Sequence, residues 1–440
     1  VRHNSDEKNG MHVYVVMHLL DSIYVHRMSE HCRKKTRNPN MKYVLPRTIR
    51  ANRGDLASRW ALLRALSQVG IEDFVVFAQF SEDIPKDIKE FISYGWLRNA
   101  LPTLRGWEAL LKSDVVLWGC GLDLQDDSSL MKMLYLLILF KAYRFMGLDI
   151  WCVFQGAGPI ETNIGYFLAR QVVKQVKVFV ARDPKTLSMV RALGNESTSY
   201  LGHDAIFLPD LESDLGQLCS ADKEHLDNLF SNTAPTIGFN IRQWFHFSSS
   251  FLPYQFAKRK YVDQSQKKMQ EILDAANKTV QYLRKEHKAR VLLVSAYQPD
   301  REPWEDDLQW LQLVKKNFED DSEVVLVNQT LSMPAYYYLM SRLNLAIGMR
   351  LHTTLIALRF GVPSINLSYT IKGQSILEHL GLSDYVLSLE EFMASPEKLQ
   401  LIISALLRNP HEVRARVLKA THKAIEENEV LLKKLLQHER

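Results

Sequence analysis

The chain has 440 residues, too many for one ordinary hydrophobic core, so its length predicts two or three domains. Hydrophobic residues at 46% and charged residues at 24% are typical of a globular protein and exclude a disordered or fibrous one. The net charge of +5 suits an anionic small substrate or an anionic membrane surface; with no dense Lys/Arg block interleaved with aromatics, it does not point to nucleic acid.

The first residues, Val1 to Ser5, are polar and unlike a signal peptide, and the missing initial Met is read as the trace of an upstream segment that was removed. From there short β-branched runs alternate with longer helical periods, the pattern of parallel sheets covered by helices. In the first half, strands are predicted at 74–78, 114–118, 149–155 and 177–181, with one more each from 11–20 and 41–45. Helices are predicted at 56–68, 128–145, 164–175 and 184–193. The apolar stretch 131–140 is broken by Lys132 and ended by Lys141, too short to span a bilayer, and is read as a buried helix. Residues 209–235 are acidic, polar and turn-forming, and are read as the connection between domains. A second alternating set follows, with strands at 236–241, 290–295, 323–327, 343–348 and 364–367 and helices at 264–287, 305–318, 334–341, 352–360 and 374–380. The tail from 396 to 438 reads as two or three Lys/Glu-rich helices.

These elements predict an α/β fold of two Rossmann-like, doubly wound domains facing a cleft. The first domain spans 1–212, the connection 213–235 and the second domain 236–405, with helices in 406–440 that can cross back. Four widely spaced cysteines, Cys32, Cys120, Cys152 and Cys219, form no CxxC pair, so neither a zinc site nor a disulfide framework is expected.

Ligands of such sheets bind beyond the carboxyl ends of the strands, and the distinctive motifs fall there. Asn52-Arg53-Gly54-Asp55 opens a helix: Gly54 lets backbone approach a ligand and the free amides favour an anion, while Asp55 is either an N-cap or a functional group. A glycine-bearing turn follows at Gly119-Cys120-Gly121, with Gln125 and Asp126 after it. Gln155-Gly156-Ala157-Gly158-Pro159-Ile160 ends another strand. Arg182-Asp183 ends the next, as a structural ion pair or as an Arg aimed into the cleft. Arg242 follows an apolar strand, where an anionic ligand would explain its cost. The sharpest motif is Gly348-Met349-Arg350-Leu351-His352, where a buried strand ends and an apolar helix opens. The helix start favours an anion, Arg350 adds a fork of donors, and His352 can pass a proton near neutral pH. Gly361-Val362-Pro363, Tyr369, Lys372 and Glu378 come next; the last two are either ligands or surface charges.

Taken in this order, from Asn52 to Glu378, these residues resemble the polysaccharide pyruvyltransferase family, with its N-x-G-D, G-G-G-x-x-Q-D-x-[ST], G-x-G-P-I, V-R-D, G-x-R-L-H and G-x-P segments. One departure is plain: Cys120 stands where the pattern has the middle glycine. The resemblance implies a glycosyltransferase-B-like architecture, phosphoenolpyruvate as donor substrate, a hexose of a polysaccharide or lipid-linked oligosaccharide as acceptor, and no nucleotide, cofactor or obligatory metal. On that basis His352 is the expected acid/base with Asp55 assisting. Arg182, Arg242, Arg350, Leu351 and Lys372 are the expected donor-binding residues. Asn52, Gly54, Gly119, Gly121, Gln125, Asp126, Gly156 and Gly158 are expected to cradle the acceptor or backbone. Bacterial relatives would work in the cytoplasm at the membrane surface; a relative with an N-terminal anchor would work in the Golgi lumen. The rival reading within the same fold is a glycosyltransferase using a nucleotide-sugar donor.

Overall fold

Strand and helix alternate through both halves of the chain because each strand is a short apolar run that must be covered on both faces. The computed structural model describes residues 41–49, 52–88, 91–93, 96–97, 101–127, 129–231, 234–244, 262–297, 307–327, 330–369 and 371–439. The strand expected at 11–20 lies outside them. In chain order the first domain runs β1 (Tyr43–Leu45), α1 (Arg53–Gln68), β2 (Phe74–Ala78), β3 (Phe91–Ser93), β4 (Trp96–Leu97), β5 (Leu101–Pro102), α2 (Leu104–Lys112), β6 (Val115–Gly119) and β7 (Leu122–Leu124). It continues with α3 (Leu130–Phe145), β8 (Asp149–Ala157), α4 (Asn163–Val173), β9 (Val178–Ala181), α5 (Pro184–Ala192) and β10 (Ser199–Leu201). Two 3-10 segments, Ala205–Phe207 and Leu211–Gln217, lead to α6 (Ser220–Leu229). The second domain runs β11 (Thr236–Asn240), α7 (Val262–His287), β12 (Arg290–Val294), α8 (Leu308–Lys316), β13 (Val324–Val327), α9 (Met333–Ser341), β14 (Leu345–Gly348) and α10 (Leu351–Arg359). Then come β15 (Ser364–Ser368), α11 (Ile371–His379), β16 (Val386–Ser388), α12 (Leu389–Ala394), α13 (Pro396–Arg408) and α14 (Pro410–Glu439).

The main sheets are parallel throughout. The first has the order β10-β9-β8-β6-β1-β2-β3, with β7 on β8; the second has β13-β12-β11-β14-β15-β16. Numbered within its own domain, the second order is 3-2-1-4-5-6, that of a dinucleotide-binding fold, and the first extends the same plan. Each order reverses once, between β1 and β6 and between β11 and β14, and ligands of such sheets bind at the carboxyl ends of those pairs. The architecture is therefore two doubly wound α/β domains with glycosyltransferase-B-like organisation.

Helix α1 belongs to both domains. Asn52 caps it, its side chain accepting from the Gly54 and Asp55 amides, so Asp55 is a first-turn acid and not the cap. Thirteen of its sixteen residues are buried. One continuous core passes from Tyr43 and Trp151 through Leu56 and Trp60 to Tyr337 and Leu355 of the second domain. A separate core lies on the outer face of the first sheet, under α3 and α4, around Val116, Phe140 and Val172.

The connection is more structured than its composition predicts. Leu226 buries one face of α6, and Asp227 takes the Tyr338 hydroxyl at 2.5 Å, docking α6 on the second domain. Helix α14 crosses back onto the first domain, where Asn428 accepts from the His203 amide and donates to the Asp204 and Phe207 carbonyls.

Candidate active site

The site is assembled where the loop after β10, the end of β9 and the start of α10 meet over α1. Arg182 leaves β9 and places Nη1 3.1 Å from Asp204 Oδ2. Asp204 leaves β10, and on the same oxygen it faces His352 Nε2 at 3.5 Å. Its other oxygen accepts from the Ser58 hydroxyl of α1 at 3.2 Å. An acid and a base thus meet across the domain boundary, each supplied by a different sheet. Burial pushes the Asp204 pKa up, but the nearby His352 and Arg182 outweigh it and hold the carboxyl well below its usual range. Asp204 is therefore a fixed anion that can orient and stabilise an imidazolium at His352. Nε of Arg182 is buried without a hydrogen-bond partner.

The glycines of the motifs make room for side chains of the protein. A Cβ on Gly54 would overlap the His352 ring, so α1 and α10 touch through this missing side chain. A Cβ on Gly156 would come within 2.8 Å of the Arg182 guanidinium, and one on Gly121 would overlap the guanidinium of Arg47. Gly119 lets β6 lie against the Val153 carbonyl, 2.6 Å from where its Cβ would stand. Gly54→Ala is expected to lower activity about 10²-fold, the cost of an ångström of misplacement at a reacting group. The better helix propensity of Ala, worth about 1 kcal/mol, is offset by about 1–3 kcal/mol of overpacking. Unchanged turnover alongside an unchanged urea midpoint would show that the ring does not depend on this contact.

At the switch point of the first sheet, Arg47 follows β1. Its Nε donates to Asp123 Oδ2 at 2.9 Å, Nη1 to the Cys120 carbonyl at 2.6 Å and Nη2 to Asp55 Oδ2 at 3.2 Å. Burial works against the Arg47 charge, but Asp123 and Asp55 raise its pKa well above the ordinary value. Asp123 in turn is pushed up by burial and pulled down further by Arg47 and Lys132, to about 2. Arg59, one turn beyond Asp55, is buried, donates to the Phe77 carbonyl at 2.9 Å, and is lowered by burial to about 10. Asp55 therefore belongs to an arginine-rich cluster. Cys120 adopts φ +63, the left-handed region where a glycine costs nothing, which explains why the pattern has glycine there. Its thiol is buried and pushed up to about 12, so it is an unreactive packing group.

At the switch point of the second sheet, Asn240 ends β11 and accepts from the Arg350 amide at 3.2 Å. Arg350 directs Nε and Nη2 at Asp307, which is fully buried, at 2.7–3.2 Å, and lies over the Tyr297 ring at 4.8 Å. As the residue before α10 it offers no acceptor to the amides of Leu351 and His352, which start the helix. Arg242 donates to the Tyr369 hydroxyl at 2.7 Å with its guanidinium 5.2 Å from that ring. Lys372 lies in the first turn of α11; its side chain is outside the described residues.

Several expected groups serve the scaffold. The Asn52 side chain caps α1. Asp126 is buried and accepts from the Glu161 and Thr162 amides and the Thr162 hydroxyl at 2.7–2.8 Å, holding the turn into α4. Gly158 sits at φ +83 in the same turn. Gln125, half-buried, lies next to Asp126 at the start of that region. Asp183 caps α5 through Thr186 and accepts from the Ser375 hydroxyl of α11 at 2.9 Å, tying the domains together. Sequence reasoning missed Asp204, Arg47 and Asp307. A signal for Asp204 was present, since a His-Asp pair directly before an apolar run is costly unless the acid is used. Among the described residues no cluster of three or more His, Cys, Asp or Glu could hold a metal ion.

Comparison with known proteins bears on the family and on the fold. A family model described as polysaccharide pyruvyl transferase matches residues 52–370. No curated protein matches the chain. Solved structures share its fold at low identity. UDP-GlcNAc 2-epimerase from Neisseria meningitidis is 11% identical at a TM-score of 0.55, over 90% of this chain and 100% of that one. The Methanocaldococcus jannaschii enzyme of the same name is 12% identical at 0.55, over 90% and 100%. Anabaena Alr3699/HepE, in complex with UDP-glucose, is 10% identical at 0.56, over 90% and 98%.

Proposed function

Because this chain belongs to the polysaccharide pyruvyl transferase family, we propose that it transfers the enolpyruvyl group of phosphoenolpyruvate to a hexose of a glycan, closing a cyclic pyruvate ketal. The observation that carries the proposal is the meeting of Arg182, Asp204 and His352 across the domain boundary, with one donor of Arg182 unmatched in a buried place.

The donor carries a carboxylate and a phosphate close together and needs several fixed cationic or amide donors. Arg182, Arg242, the first amides of α10 and Lys372 supply them in this reading. Arg350, engaged by Asp307, holds the start of α10 in place. His352 protonates the methylene carbon, and a sugar hydroxyl attacks the oxocarbenium-like centre, forming a C–O bond as its proton leaves. The C–O bond to phosphate then breaks, and the second hydroxyl closes the ring. Of the two hydroxyl protons, one replaces that given to the methylene and one leaves with phosphate. In this reading Asp204 stabilises the protonated His352 and Asp55 orients the acceptor. A β-galactoside or related hexose, on a polysaccharide or on a lipid-linked oligosaccharide at the cytoplasmic membrane surface, is the acceptor of this reading.

The test is phosphate release from phosphoenolpyruvate with a panel of β-hexosides, each with and without enzyme. Release that depends on one acceptor is expected. A thermal shift caused by a nucleotide sugar, with none caused by phosphoenolpyruvate, would sink the donor assignment.

A further inference from the structure

Helices α3 and α4 pack side by side on the outer face of the first sheet. Their inner faces are ordinary core: Met133, Leu136 and Phe140 of α3, and Ala169, Val172 and Val173 of α4. Their outer faces are not ordinary surface. Ile138 is 60% exposed, Phe145 71%, Ile164 62% and Phe167 59%, with Tyr135 and Tyr166 beside them. A surface usually scatters such residues singly; here they share two adjacent helices, which marks an interaction face.

The charge on the same faces is of one sign. Lys132, Lys141, Arg144, Arg170 and Lys174 are all exposed. No Asp or Glu occurs from 128 to 148 or from 162 to 182. Acids touch only the margins, where Arg144 meets Asp149 at 2.5 Å and Lys132 meets Asp123 at 3.6 Å. A face both apolar and uniformly basic is complementary to an anionic lipid surface, which takes apolar side chains at the acyl boundary and basic ones at the headgroups. It is a poor match for a second copy of itself, since a two-fold interface would set the same positive charges against each other. No described helix is long and apolar enough to cross a membrane, so the contact is one of lying on the surface.

We propose that the outer face of α3 and α4 seats the protein on an anionic membrane surface. Both helices start at the carboxyl edge of the sheet, so Ile164 and Phe167, in the first turns of α4, lie at the cleft end of the domain. Seated this way the chain brings its cleft to the headgroup level, where a lipid-linked acceptor would carry its sugar; this last point rests on the function proposed above.

The experiment is co-sedimentation of the purified chain with vesicles of phosphatidylcholine alone and of phosphatidylcholine mixed with phosphatidylglycerol. Binding to the mixed vesicles that weakens with salt is expected. Ile138→Glu with Phe167→Glu should weaken it by at least about tenfold, because two large apolar side chains no longer leave water on binding. Lys141→Glu with Lys174→Glu should remove the preference for the anionic lipid. Both pairs should leave pyruvyl transfer to a soluble hexoside unchanged, which separates this proposal from the assignment of the reaction. Absence of binding to the mixed vesicles, equal binding to neutral ones, or a dimer in solution that Ile138→Glu with Phe167→Glu dissociates would each overturn it.

Discussion

Alanine in place of His352 is expected to lower pyruvyl transfer about 10²–10⁴-fold, the usual contribution of a positioned acid/base. The imidazole is held on one side by Asp204, 3.5 Å from Nε2, and on the other by the bare backbone of Gly54. Two neighbouring histidines are occupied elsewhere: His203 and His379 stack on each other at 4.0 Å and are engaged by Glu427 and the Gly202 carbonyl, respectively. The companion variant is Asp204→Asn, which keeps the shape and removes the charge. If the carboxylate stabilises a protonated imidazole, the rate falls and its pH profile moves; if Asp204 only packs, neither changes. Stopped assays across pH on both variants, with thermal melts to confirm folding, decide the matter. A His352→Ala enzyme with near-normal turnover would falsify the acid/base role.

Replacing Arg47 with methionine should destabilise the fold by about 3–5 kcal/mol, because it leaves a buried carboxylate without its partner. Asp123 is that carboxylate, only 10% exposed at the side chain. Its folded pKa, about 2, lies below the value near 3.9 of an unfolded chain. A depressed acid contributes stability that is fully present above about pH 4 and is lost as pH falls through about 2. The contribution is about 2–3 kcal/mol at neutral pH. Urea midpoints of the two proteins at neutral pH and near pH 3 check both statements: the gap between them should be widest at neutral pH and narrow on acidification. A gap independent of pH would mean that Arg47 acts through packing alone.

The main strands were legible because each is a continuous apolar run, the mark of a parallel sheet buried on both faces. Strands β3, β7, β10 and β16, three residues each, carry too little pattern to read and exist only because a longer neighbour offers its edge. Helix α6 was hidden for another reason. Its stretch, Ser220 to Leu229, is polar but for Ala221, Leu226 and Leu229, and tertiary contact with α9 makes it a helix. In the site, the residues at strand ends, Arg182, Arg242, Arg350 and His352, announced themselves as charges next to apolar runs. Their partners did not. Asp307 and Arg47 sit in stretches that look like surface, Asp204 shows only as an acid before an apolar run, and what buries them comes from far along the chain: Arg350 for Asp307, α14 for the Asp204 loop. The glycines show the same limit. Their spacing was visible, but that Gly54, Gly121 and Gly156 admit His352, Arg47 and Arg182 could be seen only once both domains were in place.

The return of α14 to the first domain has a consequence for how the enzyme is made. The loop bearing Asp204 is fastened by Asn428, 225 positions after His203. A domain emerging from the ribosome usually folds before the next one is finished. Here the first domain can build its sheet early, but its Asp204 loop stays unfastened until residue 428 has been synthesised and has left the exit tunnel. The nascent chain thus carries the Asp204 loop unfastened while the 225 residues after His203 are made, and the loop is tied down only when that later helix docks.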